Sequence, residues 1–228
     1  MCNYFTRYRE PGRLKVSLRF VDPLPNLEPR YVVRPTDTER VVAIGKDGQR
    51  HFVAMRWGLV PFWAKDVKTG LTLFNWRGED VLRKRIFAEP LTRGRRCLVP
   101  CDGFFEFTGP AGAKQPYLFQ PRDGRPMAFA GLWDQWRGPP DQRRPEPLLS
   151  FSIATVVPNA TVAPYHDRMP VVFSRDAEWD GWLDPAADAA ALTRLLVPAD
   201  DDMLEAVAVT RDLLKIKDPG PDVLLPAG

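Results

Sequence analysis

Glu39-Arg40-Val41-Val42-Ala43-Ile44-Gly45-Lys46-Asp47-Gly48-Gln49-Arg50-His51-Phe52-Val53-Ala54-Met55 reads as a β-hairpin. Two β-rich runs, Arg40–Ile44 and His51–Met55, flank Lys46-Asp47-Gly48, and Asp-Gly between such runs is a strong short-range turn signal. Other segments repeat the pattern. Leu98–Thr108, Pro116–Gln120 and Met127–Trp133 read as further strands, with Asp123-Gly124 as a second turn. Leu148–Val157 is an apolar, β-branched run of the kind buried in a sheet, and Leu204–Val209 reads as a last strand before a loop-like tail. Helices are expected at Glu79–Phe87, Asp176–Leu183 and Ala186–Leu196, the last stopping before Pro198. Sixteen glycines and 24 prolines exclude a helical bundle. Strands and helices do not alternate as a parallel sheet requires, and no repeat or domain linker appears; the Gly-, Pro- and charge-rich stretch Arg137–Pro147 is a flexible loop. One α+β domain over residues 1–228, built mainly of antiparallel strands, is expected.

The chain carries 44% hydrophobic residues and a formal net charge of +3. That balance permits an anionic partner without requiring one, and much of the basic charge is arginine, whose planar fork suits phosphate. Three cysteines, Cys2, Cys97 and Cys101, are too few and odd for a disulfide scaffold and fit a reducing compartment. Cys97 and Cys101 find no nearby pair to complete a metal site and read as buried small hydrophobes. No signal peptide and no apolar run of membrane-spanning length is visible, so an intracellular, cytoplasmic protein is expected, nucleoid-associated if bacterial.

Five places carry candidate chemistry. Removal of Met1 would leave Cys2 as a 1,2-aminothiol, with amine and thiol pKa values of ~7.7–8.0 and ~8.5 that keep both partly nucleophilic near neutrality. The amine adds to an aldehyde to give an imine, and the thiol closes on it to a thiazolidine; the plain alternative is an incidental cysteine at a terminus. Asn75, in Asn75-Trp76-Arg77-Gly78-Glu79, either caps the following helix or binds a ligand. Glu106 lies in Phe104-Phe105-Glu106-Phe107, where alternation puts Phe104 and Glu106 on one face. Flanked by aromatics, its pKa would rise and suit proton transfer; on an edge strand it would simply face water. His166, between Tyr165 and Asp167-Arg168, is either a proton shuttle on a loop or a hydrogen-bonded loop histidine. In Trp57-Gly58-Leu59-Val60-Pro61-Phe62-Trp63, Trp57 reads as core and Trp63 as a possible stacking platform for bases. His51 reads as an ordinary strand residue.

Together these stretches resemble the SOS response-associated peptidase family. The resemblance rests on Met1-Cys2, Trp57 to Trp63, Asn75 to Glu79, Arg95 to Phe107 and His166-Asp167-Arg168-Met169-Pro170, in order and at the family's spacing. It implies a barrel-like or bifurcated antiparallel sheet with a few peripheral helices. It also implies a sensor of abasic sites in single-stranded DNA that removes its own Met1 and then links Cys2 covalently to the ring-opened sugar, an autopeptidase with lyase-like DNA chemistry. Under it Cys2, Asn75, Glu106 and His166 form the catalytic set. Arg77 and Arg168 hold flanking phosphates, and Trp63 wedges the DNA. No cofactor or metal is implied, and the chain is expected to act as a monomer. The family's Gly-Arg after the cysteine is Asn3-Tyr4 here, Trp76 stands where Ala is usual, and Phe107 replaces Trp. Arg34 is the residue expected to make good the charge missing at Tyr4.

Three other functions compete. An N-terminal-nucleophile amidohydrolase or peptidase using Cys2 would be expected to carry a downstream His-Asn-Gly, and none follows. A papain-like protease places its cysteine on a helix. A non-catalytic reader of modified bases would not need Cys2.

Overall fold

The computed structural model describes residues 3–227. The hairpin is present as β3 (Thr38–Ile44) and β4 (Arg50–Trp57) after two short strands, β1 (Phe5–Arg7) and β2 (Arg30–Val33). Next come β5 (Asn75–Arg77), β6 (Arg96–Cys101), β7 (Gly103–Thr108), β8 (Gln115–Pro121), β9 (Met127–Trp136) and β10 (Leu148–Val156). Three short pieces complete the strands: β11 (Met169–Pro170), β12 (Val172–Phe173) and β13 (Leu204–Ala208). The α-helices are α1 (Pro11–Leu18), α2 (Arg85–Thr92), α3 (Asp176–Leu183) and α4 (Ala189–Arg194).

Strands β10, β4, β3, β6 and β9 pair in that order, and β9 pairs again with β10, which closes a five-stranded barrel. The second sheet runs β13-β8-β7-β1-β2, entirely antiparallel. The α+β fold with a barrel-like, bifurcated sheet is therefore as expected. One core cluster runs from Phe5 to Leu204 and includes Trp57, Phe104, Phe129 and Phe151. A smaller one, with Phe105 and Leu118 at its centre, lies on the other face of the second sheet. No helix among the described residues is long and apolar enough to cross a membrane.

Several elements differ from expectation. Leu98–Thr108 is two strands in two sheets, because the chain passes from the barrel to the second sheet at Asp102-Gly103. A Cβ on Gly103 would lie 2.8 Å from the carbonyl oxygen of Phe119, so only glycine allows this crossing. Buried Asp102 accepts hydrogen bonds from the backbone N–H groups of Tyr8 (2.6 Å) and Arg9 (2.9 Å), tying the crossing to the end of β1. Hydrophobic alternation continues on both sides of the pivot and cannot register a change of sheet.

Glu79–Phe87 is not a helix. Gly78–Asp80 forms a single 3-10 turn, and α2 starts later, where Phe87 and Leu91 point into the core and Phe87 stacks on Trp76. The Ala186–Leu196 helix is shorter, starting where the Asp188 carboxylate caps Ala191 N–H. The barrel also contains parallel pairing, β10 running beside β4 and β5. Residues Arg137–Pro147 join β9 to β10.

Candidate functional site

Strand β1 sits between β7 and β2, with Phe5 opposite Phe104 on one side and Val33 on the other. A hydrogen bond from Phe105 N–H to the Tyr4 carbonyl extends this pairing toward the terminus. Asn3 and Tyr4 are thereby delivered beside β7, where Glu106 sits. Cys2 itself lies outside the described residues. Asn3 meets Asn75, whose Nδ2 donates to Asn3 Oδ1 at 3.4 Å. Asn75 is on β5, held by parallel pairing to Ile153, so it caps no helix. Along β5, Asn75 and Arg77 share one face, ~6.6 Å apart by the strand rise, while Trp76 turns into the core. Arg77 is exposed.

Glu106 does not face water: only 3% of it is exposed. Burial pushes its carboxyl up to about 7, with the negative charge of Asp167 adding to the rise and Lys114 opposing it. Its cross-strand partner is Tyr117, and Tyr117 packs against Tyr165 with ring centroids 4.4 Å apart. That contact swings the next residue, His166, over the carboxyl, with Nε2 3.8 Å from Glu106 Oε2. Beneath the same loop, buried Asn159 accepts from Val162 N–H and donates to the Ala199 carbonyl.

Arg168 N–H donates to His166 Nδ1 at 2.9 Å. Nδ1 is then an acceptor, and the proton of the neutral ring is assigned to Nε2, the nitrogen facing Glu106. The Asp167 carboxylate, also 2.9 Å from Nδ1 but largely in water, contributes charge and no donated bond. Burial lowers the His166 pKa, opposed by Asp167 and aided by Lys114. The pair at neutral pH is thus an uncharged imidazole beside a carboxyl poised between its two states, an arrangement able both to give and to accept a proton.

Asn3, Tyr4, Glu106, Phe107 and His166 line a cleft of about 450 Å³. The cleft brings together Glu106 and His166, and Asn75 reaches it through Asn3. Arg168 lies behind it and is buried; its guanidinium makes two 2.9 Å bonds to Glu79 and one to the Thr155 carbonyl. Trp63 is exposed on the loop after β4, and Arg34 is half-buried in a turn where its N–H donates to Asp37. Neither lines the cleft. Cys97 and Cys101 are buried in the barrel wall. His51 is more than a plain strand residue, its ring nitrogens lying 3.2 Å from Asp22 and 3.0 Å from Asp47. A larger cleft of about 670 Å³, between β12, α3 and the chain after α4, holds none of the candidate residues.

The cleft wall also contains Lys114, Arg211 and Lys215, which the sequence did not single out. The only signal was the basic character of the tail, Arg211 to Lys217, and nothing in a linear reading brings that tail to Glu106.

A family model described as SOS response associated peptidase (SRAP) matches residues 1–216. The chain is 33% identical over 229 residues to "Abasic site processing protein YoqW" of Bacillus subtilis, covering 98% of this chain and 99% of that one. It is 31% identical over 203 residues to "Abasic site processing protein HMCES" of Gallus gallus, covering 78% of this chain and 58% of the longer relative. A crystal structure of a protein from Bacteroides thetaiotaomicron shares the fold at a TM-score of 0.86 and 23% identity, covering 99% of this chain and 100% of that one.

Proposed function

Because the chain belongs to the SOS response associated peptidase family, we propose that it processes abasic sites in DNA, capturing the ring-opened sugar aldehyde on Cys2. The observation that carries this reading is the buried Glu106 carboxyl, titrating at about 7 and 3.8 Å from His166 Nε2, in a cleft whose wall includes Asn3, the residue after Cys2.

Once Met1 is hydrolysed away, the Cys2 amine attacks the aldehyde carbon. The resulting carbinolamine loses water, with Glu106 supplying the proton that lets hydroxide leave. The imine carbon then accepts the thiol sulfur as the thiol proton passes, through Glu106, to the imine nitrogen. The product is a thiazolidine, and the net loss is one water. A carboxyl at about 7 fits both directions of transfer. His166, neutral with its proton on Nε2, donates to the sugar oxygen during ring opening and assists reversal.

Asn75 orients the terminus through Asn3. Arg77, exposed on the Asn75 face of β5, takes a flanking phosphate, and Arg34 takes another. Arg168 acts mainly by placing His166, since Glu79 and Thr155 already engage its guanidinium. Exposed Trp63 offers a stacking surface beyond the cleft. Single-stranded DNA is the partner that lets a sugar reach so recessed a carboxyl.

The test is a denaturing gel of protein with single-stranded DNA bearing one abasic site, beside Cys2→Ala. A heat-stable shifted band requiring both lesion and Cys2 is expected. Absence of the band, with intact mass showing Met1 gone, refutes covalent capture and directs attention to amide hydrolysis by Cys2.

A further inference from the structure

Lys114 comes from the β7–β8 turn, and Arg211 and Lys215 from the segment after β13, yet all three line the cleft that holds Glu106 and His166. Lys114 is exposed, forms no ion pair with a carboxylate among the described residues, and acts electrostatically on both Glu106 and His166. Arg211 Nε donates to a neutral group, Gln115 Oε1, at 3.0 Å. Lys215 meets Asp212 at 2.8 Å, but the two side chains are 80% and 62% exposed, so water weakens the pair. The Asp167 carboxylate lies beside His166, 2.9 Å from its Nδ1. Two aromatic rings, Tyr4 and Phe107, packed edge to face at 5.6 Å, line the same cleft.

Cations around a recess with aromatic faces inside it match a phosphodiester with its base: the charge follows the backbone and the rings accept any base by stacking. Arg77 stands apart from these three, on β5 and outside the cleft wall. We propose that this cleft is a nucleotide subsite for the residue flanking the lesion, with its base against Tyr4 and Phe107 and its phosphate held by Lys114, Arg211 and Lys215. The strand therefore runs from Arg77 across the terminus and leaves over the tail. This deepens the reading above and takes the identity of the polymer from it.

The probe is a single-stranded oligonucleotide with a tetrahydrofuran abasic analogue, which has no aldehyde and reports binding alone. Fluorescence anisotropy gives Kd across a salt series for wild type, the Lys114→Ala/Lys215→Ala double variant and Lys46→Ala, a control on the distant β3–β4 turn. Each lost phosphate contact should lower the slope of log K against log salt by ~0.7. With one phosphate at stake, the double variant should therefore lose about 0.7 in slope and about tenfold in low-salt affinity, and Lys46→Ala should change neither. A double variant whose slope and Kd match wild type overturns the subsite, and crosslinking by the wild type would then leave the covalent reading standing. Conversely, a changed slope without crosslinking to a true abasic site upholds the subsite and refutes covalent capture. Wild type that does not bind the oligonucleotide overturns the subsite, and the denaturing gel with a true abasic site then decides covalent capture by itself.

Discussion

Replacing Glu106 with glutamine should make the protein more stable than the wild type above about pH 4.5, by an amount that grows until about pH 8 and then levels off. The carboxyl's ordinary value is 4.5, and burial raises it to about 7 in the folded chain. At ~1.4 kcal/mol per tenfold change in proton affinity, the ionised group costs the folded state about 3 kcal/mol. The folded protein binds its proton more tightly than the unfolded one, so between these two values it holds more protons. Stability therefore falls as pH rises from about 4.5 through about 7, and the cost is complete above about 8. Glutamine keeps the shape and never ionises. Urea unfolding of both proteins at pH 4.5, 6, 7 and 8.5 should show the gap moving toward the variant by about 3 kcal/mol, or ~6–12 °C in Tm for a chain of this size. Titrating groups away from the cleft are common to both proteins and cancel. Crosslinking by the variant should be slow at every pH. A stability gap constant to within about 0.5 kcal/mol would mean that Glu106 is not held in a carboxylate-hostile environment, and the proton-transfer role would lose its physical basis.

Other changes test the framework around the cleft. Arg168→Lys cannot reproduce the two-bond fork on Glu79 and should cost ~1–3 kcal/mol near neutrality, since Glu79 is half in water. Because Arg168 holds the Glu79 carboxyl below its ordinary value, that loss should shrink as acid protonates Glu79, a trend visible in unfolding midpoints from pH 7 to 3. Asp102→Asn can keep an oxygen on the Tyr8 and Arg9 N–H groups but sets its amide nitrogen against Arg9 Nε, now 3.3 Å from the other carboxylate oxygen, and should destabilise by ~1–3 kcal/mol; crosslinking should fall with it, because β1 leads into Asn3 and Tyr4 of the cleft. Trp63→Ala should leave unfolding unchanged and weaken binding of single-stranded DNA by ~1–3 kcal/mol, read by anisotropy.

The β3–β4 hairpin was legible because its turn residues and its alternation agree, and α3 because its first and last residues coincide with a change of pattern. The candidate site was legible only as separate pieces. Alternation placed Phe104 and Glu106 on one face, but both faces of this strand are covered, Phe105 being as buried as Phe104, and whether the Glu106 face met core or water depended on partners far along the chain. What seats His166 over Glu106 is a ring contact between Tyr165 and Tyr117, two residues that carry no motif. Arg168 was expected to hold a phosphate; its carboxylate partner, Glu79, is 89 residues away. Lys114, Arg211 and Lys215 are ordinary surface charges until the fold brings their two loops to one opening. Local patterns encode local geometry, and the site is assembled almost wholly from long-range contacts.

The position of β1 also fixes when the site can come into being. Its neighbour β7 lies about a hundred residues later, Asp102 clasps the backbone at Tyr8 and Arg9, and His166 and Lys215 complete the cleft later still. During synthesis the first residues emerge from the ribosome long before anything exists to hold them, and closing so long a loop is slow. Any reaction this cleft performs on its own leading residues is therefore an act of the finished chain.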